Sequence, residues 1–144
     1  MPVPYPPEKI GGKYAPYEAE ILAKQVPCLK TLKQDEFYAL WNYIVNGDGT
    51  SGGDRYTSKE RERATKDILQ IVKSANRVRE AYNAFKSGKS TEPVTLVFSI
   101  RETIDIASEL SGGAKVKEII KEVILPKIGD MDERDRVEVV VDQS

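Results

Sequence analysis

Residues 57–85 have the sequence TSKERERATKDILQIVKSANRVREAYNAF, which contains neither glycine nor proline. Apolar side chains recur along it at alternating spacings of four and three, at Ala64, Ile68, Ile71, Ala75, Val78, Tyr82 and Phe85. This spacing places one apolar stripe along an α-helix. The stretch therefore predicts a helix of about 28 residues, roughly 42 Å long, which we expect to be the spine of a small helical bundle. A sustained coiled coil is the alternative.

Shorter segments with helical apolar spacing lie on both sides of this stretch. They predict helices over residues 17–25, 31–46, 99–110 and 114–125. Thr31 with Gln34, and Ser99 with Glu102, have the spacing of capping boxes that begin two of these helices. The β-branched segment Val137–Val141 is compatible with either a strand or a helix. Together these segments predict an all-α, or nearly all-α, bundle of about five or six helices with one long spine helix.

The first part of the chain differs in composition from the rest. Residues 1–16 contain five prolines and the pair Gly11-Gly12, so we expect an extended lead-in and not a helix or a central strand. Residues 17–144 are expected to form the helical domain. Within that domain, the glycine-rich stretch from Asn46 to Asp54 predicts a flexible, solvated loop.

The charge balance excludes a strong overall attraction to nucleic acid or anionic lipid. The chain has 22 Lys and Arg against 23 Asp and Glu, a net charge of −1. No apolar run is long enough to span a membrane, and the N-terminal segment lacks the basic start and apolar core of a signal peptide.

The single cysteine, Cys28, cannot form an internal disulfide, so we expect a reducing, cytoplasmic compartment. Without a visible activating partner, its thiol is expected to pack as a small apolar group.

The chain contains no histidine, which removes the commonest general base and the commonest metal ligand. Residues 87–90 (SGKS) resemble the end of a phosphate-binding P-loop, but Asn83 stands where that motif needs glycine, and a helix precedes the segment where the motif needs a strand. A calcium-binding loop counted from Asp48 would need glutamate where Lys59 stands. We therefore expect no metal site and no catalytic residue in this chain by itself.

Arg101 is the candidate binding residue. It lies in the first turn of the helix that Ser99 begins, where the helix dipole disfavours a cation. Asp105 follows four residues later, so one interpretation is an exposed ion pair on the helix surface. The other interpretation is that the guanidinium group binds an anion supplied by another domain.

Two groups of segments resemble the helical lid subdomain of MoxR-type AAA+ ATPases. Val3–Pro7 and then Glu18–Leu22 (EAEIL) resemble the junction through which the family's chain leaves its nucleotide-binding core and enters the lid. Phe98–Glu102 (FSIRE) resembles the family's Ser-x-Arg motif, and Leu125–Arg134 is similar to the tail of such lids. The chain departs from the family by an insertion at Ile10–Pro16 and by the absence of the Walker A, Walker B, sensor 1 and arginine-finger segments.

The resemblance implies a lid that closes over ATP bound by a core domain and couples its hydrolysis to the remodelling of client proteins. It assigns Arg101 the sensor 2 role, contact with the ATP γ-phosphate, and assigns Ser99 the role of a helix cap that orients this arginine. It implies ATP and Mg²⁺ as cofactors only within a complete ATPase, and no ligand for this chain alone. The implied partners are the AAA+ core, neighbouring ring subunits and a von Willebrand A-like protein, without nucleic acid or membrane. Met1 just before the junction motif favours a segment cut from a larger ATPase.

The alternative is a freestanding helical protein–protein interaction module, archaeal or viral and without catalytic activity. In that hypothesis the apolar stripe of the spine helix binds the partner. A helical nucleic-acid binder is a further alternative, and it would need a local basic face because the net charge is −1. A GxxxxGK[ST] motif upstream in the same reading frame would favour the lid.

Overall fold

Seven α-helices and two short 3-10 helices form the part of the chain that the computed structural model describes, residues 15–47, 52–110 and 115–144. No strand occurs among these residues, so the prediction of an all-α helical bundle is confirmed. Two 3-10 helices occupy Gly53–Tyr56 and Leu125–Lys127. The α-helices are α1 (Ala15–Ala23), α2 (Pro27–Lys30), α3 (Gln34–Asn46), α4 (Lys59–Lys86), α5 (Ile100–Ser108), α6 (Val116–Ile124) and α7 (Met131–Asp142). Residues 1–14 of the predicted lead-in lie outside the described residues, and its last two, Ala15 and Pro16, are not extended but begin α1.

The predicted spine is α4, whose 28 residues contact each of the other six α-helices. Ser58 begins it, because its hydroxyl oxygen accepts a hydrogen bond from the Arg61 N–H at 3.2 Å. The middle of the apolar stripe is fully buried, at Ile68, Ile71, Ala75 and Val78. The stripe is therefore part of the core of this domain. Its buried middle packs on the other helices of this domain and is not exposed to a partner.

The first predicted capping box is wrong. Thr31 lies at the C-terminal end of α2, and α3 begins only at Gln34. The carboxylate of Glu36 accepts a hydrogen bond from the Lys33 N–H at 2.8 Å, which satisfies one backbone donor at the helix start. The single turn of α2 was also not predicted. Pro27 opens this turn, where its missing N–H leaves no donor unsatisfied.

The ambiguous segment Val137–Val141 is helical and belongs to α7. Asp130 begins this helix, since its carboxylate accepts a hydrogen bond from the Glu133 N–H at 2.9 Å. Val137 and Val141 are one helical turn apart and are both fully buried, whereas Val139 is exposed. Packing of this one face on α4 and α6 outweighs the modest preference of valine for strands.

The glycine-rich loop is only partly solvated. Its residues 48–51 lie outside the described part, but Gly53 is buried and packs directly on α3. A Cβ atom at Gly53 would lie 2.1 Å from the carbonyl oxygen of Ala39, so any larger residue would force the backbones apart. The prediction of a flexible, solvated loop is therefore wrong at this position.

None of the described helices has both the length and the apolar character that a membrane crossing requires.

Candidate functional site

Arg101 is the second residue of α5, and its side chain is exposed. The ion pair with Asp105, one of the two interpretations of Arg101, is not formed. No hydrogen bond or ion pair of the Arg101 guanidinium group is found within residues 15–47, 52–110 and 115–144. The structure therefore leaves an exposed cation at the N-terminus of a helix, where the dipole favours an anion.

Ser99 and Glu102 form the predicted capping interaction at the start of α5. The Ser99 N–H donates to the Glu102 carboxylate at 2.9 Å, and the Ser99 hydroxyl donates to the same oxygen. The second carboxylate oxygen accepts from the Lys127 ammonium group at 3.0 Å. Burial raises the pKa of Glu102, but the Ser99 hydrogen bonds and the Lys127 charge together outweigh burial and lower it. The carboxylate that fixes the start of α5 is therefore held ionised.

We expect this carboxylate to make the stability of the fold depend on acid pH. The pKa of Glu102 in the folded chain is lower than the ordinary glutamate pKa of 4.5. Ionisation of Glu102 therefore stabilises the fold above pH 4.5, and this stabilisation is lost as the pH falls through the folded pKa. Glu102→Gln should cost about 1 kcal/mol at neutral pH through loss of the charge-assisted hydrogen bonds. Urea unfolding at a series of pH values should show this difference shrinking below pH 4.5.

The matched control is Glu109→Gln, which changes an exposed glutamate at the other end of α5. Its free energy of unfolding should stay close to that of the unchanged chain at every pH. A difference between the unchanged chain and Glu102→Gln that stays constant down to strongly acid pH would contradict the assigned role of the Glu102 carboxylate.

A buried ion pair connects α1 to α4 beneath the start of α5. The Glu18 side chain is 0% exposed and the Arg79 side chain 11%. Their contact is bidentate, with both guanidinium Nη atoms 2.9 Å from the two carboxylate oxygens. Asn76 accepts a further hydrogen bond from Arg79 at 3.0 Å. Removal of one partner of such a pair would leave the other as a buried charge without its counter-charge.

The same ion pair holds the residues that lead into α5. The Arg79 Nε donates to the carbonyl oxygen of Phe98 at 2.7 Å, and its guanidinium carbon lies 5.9 Å from the centroid of the Phe98 ring. The Thr103 hydroxyl donates to the Glu18 carboxylate at 3.0 Å. We refer to Glu18, Arg79, Phe98 and Thr103 as the Glu18–Arg79 network. It fixes both the entry to α5 and its first turn relative to α1 and α4.

A second carboxylate holds the extended segment before α5. Glu133, on α7, is 4% exposed. It accepts hydrogen bonds from the Thr95 N–H at 2.9 Å, the Thr95 hydroxyl at 2.9 Å and the Leu96 N–H at 3.2 Å. Backbone donors that would pair with a neighbouring strand in a sheet are satisfied here by one side chain. The segment from Val94 to Phe98 is thereby fixed without a sheet.

Neither interaction was predicted from the sequence, although the Glu18–Arg79 pair left a partial signal. Glu18 lies four residues before the buried Leu22, and Arg79 lies four residues after the buried Ala75. Charged residues at apolar spacing on two helices are candidates for a buried pair, but spacing alone does not say which charges meet.

The remaining sequence candidates do not add chemistry to this site. Residues 87–90 follow the end of α4, with Gly88 at φ +83°. Cys28 is half-buried, and burial followed by the charge of Glu60 raises the pKa of its thiol. No group of three or more His, Cys, Asp or Glu side chains that could hold a metal ion occurs within the described ranges.

The arrangement therefore holds in place the turn that carries Arg101, and the exposed guanidinium group of Arg101 is accessible to an external anion. The capping interaction fixes the first turn of α5, while the Glu18–Arg79 network and Glu133 fix the segment that leads into it. Preorganisation of this kind lowers the entropy lost on binding.

Comparison of the chain with protein-family models, with curated proteins and with solved structures finds no match.

Proposed function

We propose that this chain is the helical lid of a MoxR-type AAA+ ATPase, and that Arg101 contacts the γ-phosphate of ATP bound by a core domain. The observation that carries the proposal is the meeting of two of the four segments on which the resemblance rests. Glu18 of the EAEIL segment accepts a hydrogen bond from Thr103 and pairs with Arg79, which binds the carbonyl of Phe98 in the FSIRE segment. Segments about 80 residues apart are thus one structural unit.

The environment of Arg101 supports the same proposal. Its guanidinium group is exposed and makes no hydrogen bond or ion pair within the described ranges. A planar group with five donors at a helix N-terminus suits a phosphate oxygen on which charge develops during phosphoryl transfer. In this proposal Ser99 does not touch the nucleotide. It acts with Glu102 to fix the direction of the turn that carries Arg101.

The role of the lid in this proposal is mechanical. Closure over Mg²⁺-ATP on the core would move the lid relative to the neighbouring ring subunit and so transmit hydrolysis to a client protein, with a von Willebrand A-like protein as a partner. The chain supplies Arg101, and the core supplies the phosphate-binding loop, the metal ligands and the base.

Arg101→Ala tests the proposal in a chain that joins this domain to a nucleotide-binding core. We expect turnover to fall at least about tenfold, about 1.4 kcal/mol of transition-state stabilisation. The stability of residues 1–144 should change by no more than about 0.5 kcal/mol, because no partner within the described ranges is lost. Steady-state hydrolysis of ATP and urea unfolding measure the two effects.

Two further variants make this test specific. Arg101→Lys should restore turnover only in part, since a compact ammonium group does not reproduce a planar fork of donors. Lys73→Ala, which removes an exposed cation from α4, should leave turnover unchanged. Turnover at the level of the unchanged protein in Arg101→Ala would refute the sensor 2 assignment.

The 144-residue chain by itself is expected not to bind ATP. The motivation is the missing glycine at Asn83 and the helix where a P-loop needs a strand. Isothermal titration calorimetry with Mg²⁺-ATP should give only the heat of dilution. Micromolar binding by this chain would overturn the assignment of residues 87–90 as a helix end.

A further inference from the structure

A groove of about 320 Å³ lies at the opposite end of α5 from Arg101. It is bordered by the α1–α2 connection, the first half of α4 and the C-terminal end of α5. Its apolar lining comes from Val26, Ala64, Ala107 and Leu110. The proposed lid function gives this groove no role.

Hydrogen bonds hold the walls of the groove in place. The Arg61 Nε donates to the carbonyl oxygen of Cys28 at 3.0 Å, and its Nη1 donates to that of Tyr56 at 3.0 Å. At the α5 wall the Ser108 hydroxyl donates to the carbonyl oxygen of Ile104 at 2.9 Å, one helical turn before it. The groove is therefore formed before any partner arrives.

The rim of the groove carries an unpaired carboxylate. Asp67 is half-buried, and it makes no hydrogen bond or ion pair within the described ranges. Burial raises the pKa of Asp67, and the charge of Arg63 lowers it by less. Glu60 and Arg63 also line the groove, so its lining has two carboxylates and one guanidinium group, a net charge of −1. A partly desolvated carboxylate of this kind is stabilised by a cation.

We propose that this groove receives a lysine or arginine side chain from a partner protein. The aliphatic stem of such a side chain matches the apolar lining, and its charged head matches Asp67 and Glu60 at the rim. Gln25, Glu60 and Arg63 are exposed, so the rim is open to solvent and the partner's backbone can remain outside the groove. The groove thus recognises the chemistry of one basic residue, whose stem lies across the apolar lining and whose charged head meets Asp67 and Glu60.

Cys28 allows the proposal to be tested with the intact chain. It is the only cysteine, and it lines the groove. The rate at which iodoacetamide alkylates it is measured against increasing Nα-acetyl-lysine N-methylamide, which carries the side chain on a backbone fragment. We expect the alkylation rate to fall as the probe is added. The dissociation constant of the probe should be millimolar, because so small a ligand binds weakly. The same titration followed by amide chemical shifts at Ala64, Asp67 and Leu110 gives a second measure.

Variants and analogues separate the outcomes. Asp67→Asn should weaken binding about tenfold through loss of a charge-assisted hydrogen bond, whereas Glu62→Gln, which removes an exposed carboxylate paired with Lys66, should not. The unchanged chain should bind the uncharged norleucine analogue no more tightly than the Asp67→Asn variant binds the lysine probe. The proposal is overturned by equal binding in Asp67→Asn, by no protection and no shifts, or by n-butylammonium binding where the lysine probe does not, which would indicate a small-amine site.

Discussion

Arg79→Met is expected to lower the free energy of unfolding by about 3–5 kcal/mol, because it leaves the Glu18 carboxylate buried without its counter-charge. A domain of this size has only about 5–15 kcal/mol to lose. The same change removes the donor to the Phe98 carbonyl, so the entry to α5 should loosen as well. Urea unfolding followed by the fluorescence of Trp41, the single tryptophan and 1% exposed, measures the loss.

The neighbouring Arg77 supplies the matched control. It lies on the same helix, but its side chain is 57% exposed and its contact with Glu80 is 3.9 Å long. Exposed pairs of this kind contribute between about 0 and 1 kcal/mol, so Arg77→Met should have little effect. Similar losses for Arg77→Met and Arg79→Met would contradict the importance of the buried pair.

The double variant Glu18→Leu with Arg79→Met removes both charges together. We expect it to be more stable than Arg79→Met alone, since no unpaired charge remains in the core. If Arg79→Met is too unstable to purify, Glu18→Gln provides a milder test, because the amide keeps a hydrogen bond to Arg79. A double variant no more stable than the single one would show that the loss comes from packing and not from the orphaned charge.

Ile71→Asp is expected to unfold the domain. Ile71 is 0% exposed at the centre of α4, the helix that every other α-helix contacts. An unpaired carboxylate there costs several kcal/mol, and the lost apolar contacts add to this. Far-ultraviolet circular dichroism should show loss of helix at room temperature, or a thermal midpoint far below that of the unchanged chain.

Lys73→Asp is the control for Ile71→Asp. It introduces the same carboxylate two residues later on α4, at an exposed position. The thermal midpoint should change by a small amount, as surface substitutions usually do. An unchanged melting curve for Ile71→Asp would mean that this face of α4 is exposed in solution, which would favour an interaction module that binds through the stripe.

The features that follow from short-range spacing were predicted well. The limits and the buried face of α4 follow from the absence of glycine and proline and from the four–three spacing of residues such as Ile68 and Val78. The cap formed by Ser99 and Glu102 is equally local, because its partners are three residues apart. The capping box predicted at Thr31 does not form, because the Glu36 carboxylate instead accepts a hydrogen bond from the Lys33 N–H and α3 begins at Gln34.

The amino-acid sequence by itself thus determined the helical class, the spine helix and the turn on which Arg101 lies, since each depends on residues within one or two helical turns. Only the tertiary structure decided that Val137–Val141 is a helix, because burial of one face against α4 and α6 outweighs local preference. It alone paired Glu18 with Arg79, 61 residues apart, and Glu133 with Thr95, 38 residues apart. The local pattern around a charged residue is the same whether its side chain meets water or a distant partner, and only packing of the whole chain distinguishes the two.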